Sequence, residues 1–197
     1  MFLPLLTGLG VSASAGLNAY IPLLVIALAD RIQDGDLLDG GYEFISSFPA
    51  IAALLVLVTI ELIADKSPVY RANDVVQSIV RPAAGALAFM ASVSSTDFNT
   101  VAALLIGLLV GGLVHATKAA FRLRFPPRIR AVFVPGFSFA EDLYAGLQTI
   151  IAIVAPVVVP VLLVPLIAIS IWTVNRKPRL QSDQDEVAPG ERTAAQP

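Results

Sequence analysis

Long runs without a single charged side chain constrain this chain more than any other feature. Residues 1–29 hold no Asp, Glu, Lys or Arg, and neither do 44–60, 82–96, 98–117 or 143–175. A bilayer core takes about 20 apolar residues per helix. Backbone in lipid must also satisfy its own hydrogen bonds, which selects helices. Five segments meet the need: 2–29, 48–64, 74–93, 99–120 and 141–175. A buried core helix explains one such run, not five. The expected fold is an all-α, polytopic membrane protein. Composition agrees, with 56% hydrophobic and 14% charged residues, against roughly 25% charged in soluble domains.

The last run is too long for one helix: as a helix it would rise ~52 Å at ~1.5 Å per residue, against a hydrocarbon core of ~30 Å. Pro156 and Pro160 bracket Val157-Val158-Val159, and proline removes a helical donor and disfavours helix just before it. The expectation is two helices, 141–155 and 160–175, giving about six short transmembrane helices. Loop charges support that count. With six crossings, one side receives Lys66, Arg71, Lys118, Arg122, Arg124, Arg128, Arg130, Arg176, Lys177 and Arg179, and the other only Arg31. That bias places both termini in the cytoplasm. A signal peptide ending near Ala13-Ser14-Ala15 is disfavoured, because no basic stretch precedes the apolar run. The transmembrane domain is expected over 1–175, and 176–197 as a polar, disordered cytoplasmic tail.

The halves echo one another weakly. Leu5-Leu6-Thr7-Gly8-Leu9-Gly10-Val11 resembles Leu104-Leu105-Ile106-Gly107-Leu108-Leu109-Val110, and Ile79-Val80-Arg81-Pro82 resembles Ile153-Val154-Ala155-Pro156. Three crossings in each of 1–96 and 97–175 would make a three-plus-three inverted repeat, with broken or Pro-kinked helices, as in many transporters.

Several chemistries are disfavoured. No cysteine and one histidine argue against disulfide scaffolds, thiolate sites and structural zinc or haem; no metal and no cofactor are expected. A net charge of −2 argues against nucleic-acid binding. The sequence contains no Ser/His/Asp set or paired-carboxylate motif, so an intramembrane enzyme is the weakest reading.

Ionisable groups inside a bilayer are costly and usually face the bundle interior or a water-filled cavity. Glu61 lies about 6 Å inside the end of its helix and Arg81 roughly 10 Å, at ~1.5 Å per residue. His115 and Lys118 share one helix face at i, i+3. Asp65, Lys66, Asp74, Glu141 and Asp142 read most simply as helix caps and snorkelling groups. The small residues Gly8, Ser12 and Gly16 read most simply as a close-packing stripe. The sharper reading breaks the helix within 8–22, so that Asn18 lines a site. A cytoplasmic vestibule then forms in which Asn18, Arg81, His115 and Lys118 bind an anionic group and Glu61, Asp65, Glu141 and Asp142 couple a proton or ion.

The same residues carry a resemblance. Gly16-Leu17-Asn18-Ala19-Tyr20-Ile21-Pro22-Leu23, Glu61-Leu62-Ile63-Ala64-Asp65-Lys66-Ser67-Pro68, Asp74 to Ala86 with its Arg81-Pro82, His115-Ala116-Thr117-Lys118-Ala119-Ala120 and Glu141-Asp142 occur in order over about 8–160. In this the chain resembles the bacterial integral membrane proteins of domain-of-unknown-function family 4126. The basic, apolar Leu123-Arg124-Phe125-Pro126-Pro127 departs from the family's Ser/Asn/Pro-rich link. The resemblance implies a bacterial inner-membrane protein and brings no activity.

Two functions remain open. One is a small transporter or lipid-phosphate translocase for an anionic small molecule or lipid headgroup, for which a homodimer would suit a chain this small. The other is a non-transporting scaffold that docks a partner through the basic 118–130 loop.

Overall fold

The computed structural model describes residues 2–35, 37–38, 40–66, 70–124 and 127–175, with backbone alone for 70–72, 127–132, 134 and 174. The tail expected at 176–197 lies outside the described residues. Seven α-helices follow in order: α1 Phe2–Leu17, α2 Tyr20–Ile32, α3 Phe48–Lys66, α4 Tyr70–Val93, α5 Thr100–Leu123, α6 Pro127–Val154 and α7 Val159–Asn175. Short 3-10 turns occupy Glu43–Ser46 and Pro156–Val158. Among the described residues there is no strand. Five helices, α3 to α7, are long and apolar enough to cross a membrane.

Burial is inverted relative to a soluble protein. On α3, Ile60 and Ile63 are 56% and 66% exposed, while Glu61 and Asp65 are each 1% exposed. In water, charged residues are almost never fully buried unless paired; in lipid the apolar face turns outward and ionisable groups turn inward. The protein is a multi-pass helical membrane protein.

The Pro-rich turn falls where the sequence predicts. Helix α6 stops at Val154, the Pro156–Val158 turn follows, and α7 begins at Val159. Pro82, Pro135 and Pro165 sit inside helices that continue past them.

The N-terminal span corrects the expectation. Residues 2–32 do not cross once; they form two helices broken at Asn18-Ala19. The Asn18 side-chain oxygen accepts from the Tyr20 and Ile21 amides at 3.1 and 3.0 Å, so a capping residue starts a new helix, with Pro22 in its tolerant first turn. The helices are antiparallel. Leu3, Pro4 and Thr7 line one cavity with Ile26, Leu37 and Leu38, whereas Leu17 and Ala19 lie against Lys118 and Glu61. The first two helices are therefore a hairpin that enters and leaves at one end of the bundle and carries its tip toward the other. Phe2 consequently shares an end with Ser95 and Val154, while Thr173 lies beside Arg124 at the opposite end. The expected placement of both termini on one side does not hold for the described chain.

The predicted repeat changes too. Leu5 and Leu9 pack with Ala103 and Ile106, and Leu17 meets Lys118, so α1 and α5 run parallel. The echo between 5–11 and 104–110 is not an inverted one.

Glycine sets the spacing of the central helices, as the small-residue stripe suggested. A Cβ at Gly107 would lie 2.5 Å from the Gly85 carbonyl, and one at Gly16 would lie 2.6 Å from the Gly111 carbonyl. Ser12 donates to that same Gly85 carbonyl at 2.7 Å. Backbones approach this closely only where side chains are absent or small.

Candidate functional site: an ion network at the hairpin tip

The hairpin tip leaves helix-end groups that need partners. Lys118 on α5 donates to the Leu17 carbonyl at 2.6 Å. Both oxygens of Glu61 on α3 accept from the Ala19 amide, at 3.3 and 3.1 Å. A cation thus stands at the C-terminal end of α1 and an anion at the N-terminal end of α2, the pairing that the helix dipoles favour. Asn18 closes the tip by donating to Asp142 on α6 at 3.0 Å.

From there a continuous ion network spreads across α3 to α6. Arg81, with no exposed surface, donates from Nη2 to Glu61 at 2.9 Å and to Asp65 at 3.1 Å, and from Nε to Glu61 at 3.2 Å. Its Nη1 is 3.1 Å from Nδ1 of His115. A guanidinium can only donate, so Nδ1 accepts and the imidazole is neutral, its proton on Nε2. Asp65 is the hub: one oxygen receives Arg81, Lys118 (3.0 Å), Arg122 (3.4 Å) and the Ser138 hydroxyl (3.3 Å). Its other oxygen receives Asn73 at 2.7 Å. Glu141 bridges Lys118 and Arg122 at 3.2 and 2.7 Å. Arg122 also reaches Asp74 at 3.4 Å, and Lys66 pairs with Asp142 at 2.6 Å.

All eight residues singled out from sequence, Asn18, Glu61, Asp65, Arg81, His115, Lys118, Glu141 and Asp142, meet in this network. Their roles differ from the vestibule expectation. His115 serves as an acceptor, not a cation. Arg81 is fully committed to protein partners. Asp65, Glu141 and Asp142 join the network, so the capping reading is too weak for them.

Sequence reasoning missed Arg122 as a site residue and left Lys66 and Asp74 as caps. The signal for Arg122 was present: 115, 118 and 122 share one face of α5, but an expected helix end at 120 put Arg122 in the loop. Lys118 and Arg122 lie in the bundle, and Arg124 stacks 5.5 Å over Trp172. Three cations of the proposed 118–130 docking loop therefore face inward or onto the chain itself. The side chains of Arg128 and Arg130 lie outside the described residues.

Beside the network, α5, α6 and α7 border an open-sided cavity of about 170 Å³. Val114, Phe121, Phe137, Leu166 and Ile169 form its apolar wall, and Lys118 and Glu141 stand in the same lining. Among the described residues no group of His, Asp and Glu is arranged to hold a metal ion.

An inside-out bundle, a helix hairpin whose tip meets buried charges, and four cations interlocked with five carboxylates define a helical membrane protein with a buried ionic centre. The chain belongs to the family described as Domain of unknown function (DUF4126), whose profile matches residues 5–176. No curated protein and no solved structure matches it.

Proposed function

We propose that the protein is a small transporter or lipid-phosphate translocase for an anionic or headgroup-bearing substrate, working from the end of the bundle that holds Arg81 and Lys118. The observation that carries this reading is the hairpin tip. A helix broken inside a bundle, with its ends facing ionisable groups, is how many transporters build a substrate site. Ionisable groups in a membrane interior mark ion or substrate pathways by default. The excess of Lys and Arg near this end supports reading it as the cytoplasmic side of a bacterial inner membrane. That orientation puts Phe2 outside and Asn175 inside.

Chemically, an anion gains access only by exchange. Each cation is already held by carboxylates, so the substrate displaces one, or a carboxylate takes up a proton and releases its cation. Glu61, Asp65, Glu141 and Asp142 are the groups available for that step. No covalent chemistry is assigned to the site.

The test is flux through purified protein in liposomes. A fluorescent lipid phosphate in both leaflets is bleached from outside with dithionite, and inorganic phosphate efflux is followed in parallel. Transport predicts that one probe crosses at least about tenfold faster than in protein-free vesicles. Neither doing so refutes the reading.

Saturation of Arg81 favours a second reading, a non-transporting scaffold in which the network only locks the helices. Glu141→Gln separates the two: Lys118 and Arg122 keep Asp65, so a scaffold retains its assembly, whereas a transporter changes its flux.

A further inference from the structure

The cavity between α5, α6 and α7 is almost wholly apolar, with charge only at its edge. Its wall is hydrocarbon and aromatic, from Val114, Phe121, Phe137, Leu166 and Ile169. Its polar corner is Lys118 with Glu141. Behind Glu141 stands Arg122, 2% exposed, whose Nη2 holds the same carboxylate oxygen at 2.7 Å. Arg122 Nε is buried with no hydrogen-bond partner among the described residues. A buried unpaired donor on a charged group is costly, and what it lacks is an acceptor. Arg122 therefore has one donor left over for a further acceptor. Glu141 supplies one carboxylate to two cations; a tetrahedral anion offers more oxygens to the same pair.

We propose that this cavity binds a single-chain anionic amphiphile with a phosphate monoester head, the head replacing Glu141 on Lys118 and Arg122 and the first carbons of the chain filling the apolar wall. The proposal rests on the transport reading and names its substrate class. Size is compatible: an apolar cavity of about 150 Å³ accommodates benzene, so about 170 Å³ takes a comparable piece of chain. The rest of the chain runs into the bilayer through the open side of the cavity.

The chain reports on its own site. Trp172 is the sole tryptophan, and its ring lies 5.7 Å from Phe121, which lines the cavity. In uncharged detergent, Trp172 fluorescence and melting temperature are followed against dodecyl phosphate, dodecanol and inorganic phosphate. Dodecyl phosphate is expected to bind at least about tenfold more tightly than either of the others. Equal binding of dodecanol overturns headgroup recognition, and equal binding of inorganic phosphate overturns the tail cavity. Glu141→Gln, which removes the competing charge, should tighten dodecyl phosphate about tenfold or more; unchanged or weaker binding refutes the exchange. Ala140→Phe, which fills the cavity wall from α6, should abolish dodecyl phosphate binding, and binding at wild-type strength would place the ligand elsewhere. The two readings fail separately. Dodecyl phosphate binding without flux in liposomes removes transport and leaves the site. Flux of inorganic phosphate without dodecyl phosphate binding removes the site and leaves transport.

Discussion

Replacing Arg81 with methionine should be the most damaging single change in the bundle, and the reason can be worked from its contacts. Arg81 is wholly buried and makes three charge-assisted bonds to Glu61 and Asp65 and one bond to His115. Removing one partner of a buried ion pair costs about 3–5 kcal/mol, because the other charge stays buried without compensation. Asp65 keeps Lys118 and Arg122; among the described residues Glu61 keeps only the Ala19 amide. Most of the penalty therefore falls on Glu61. Arg81→Met combined with Glu61→Leu removes both charges, and such replacements are often neutral. The uncapped Ala19 amide then remains, at about 1–3 kcal/mol. The double variant should thus recover a large part of the loss, with a coupling of about 2 kcal/mol in a double-mutant cycle. Reversible unfolding in mixed micelles measures all four corners. An Arg81→Met cost below about 1 kcal/mol, or strictly additive losses, would refute the claim that Arg81 and Glu61 form a buried, mutually dependent pair. It follows that Arg81→Ala is a poor probe of substrate binding, since instability would mimic loss of function.

Three further expectations are independent of that pair. Gly107→Ala should drive α4 and α5 apart, because its Cβ would lie 2.5 Å from the Gly85 carbonyl; overpacking of this kind costs about 1–3 kcal/mol, and an unchanged melting temperature would count against the close approach. Asn18→Ala should lose the cap of α2 and the bond to Asp142, about 1 kcal/mol for the cap alone. Asn18→Ser should restore part of that loss in the same unfolding assay. Because the chain has no cysteine, single cysteines report sidedness directly. Leu3→Cys and Ser95→Cys should react with an impermeant maleimide from one side of the membrane and Asn175→Cys from the other; labelling of Leu3→Cys and Asn175→Cys from the same side would rule out the hairpin.

How much was legible in the sequence depended on where the charges lie. Helices α3, α4 and α5 each begin or end within a residue of a charged side chain, and their expected bounds fall within a few residues of those observed. Pro156 marked the α6–α7 turn because proline acts locally, through a missing donor. The hairpin was not legible as a hairpin, although Asn18 and Pro22 marked its break. Loop-charge reasoning assigns sides by basic residues, and residues 1–29 have none. A segment without charges has no weight in that tally, so the rest of the topology could be inferred while its first element was read as a crossing. The site residues were legible as a set because intramembrane charge is rare. Their partners were not, since pairing Glu61 with Arg81, or Glu141 with Arg122, depends on how helices distant in sequence rotate against one another.

The balance of the network limits what any transport cycle here could be. Lys66, Arg81, Lys118 and Arg122 face Glu61, Asp65, Asp74, Glu141 and Asp142, with His115 neutral, so the centre offers no net positive field to draw an anion in. In a low-dielectric interior an added negative charge without compensation is expensive. On the transport reading, an arriving anion must therefore come with a proton for the carboxylate it displaces, or wait until that carboxylate swings out to water. Glu141 suits either course: it is 8% exposed, against 1% for Glu61 and Asp65, and it alone among the five carboxylates lines the apolar cavity. Anion entry and proton entry would then be one event at one residue. A scaffold needs no such exchange; for it, Glu141 has only to hold Lys118 and Arg122 in place.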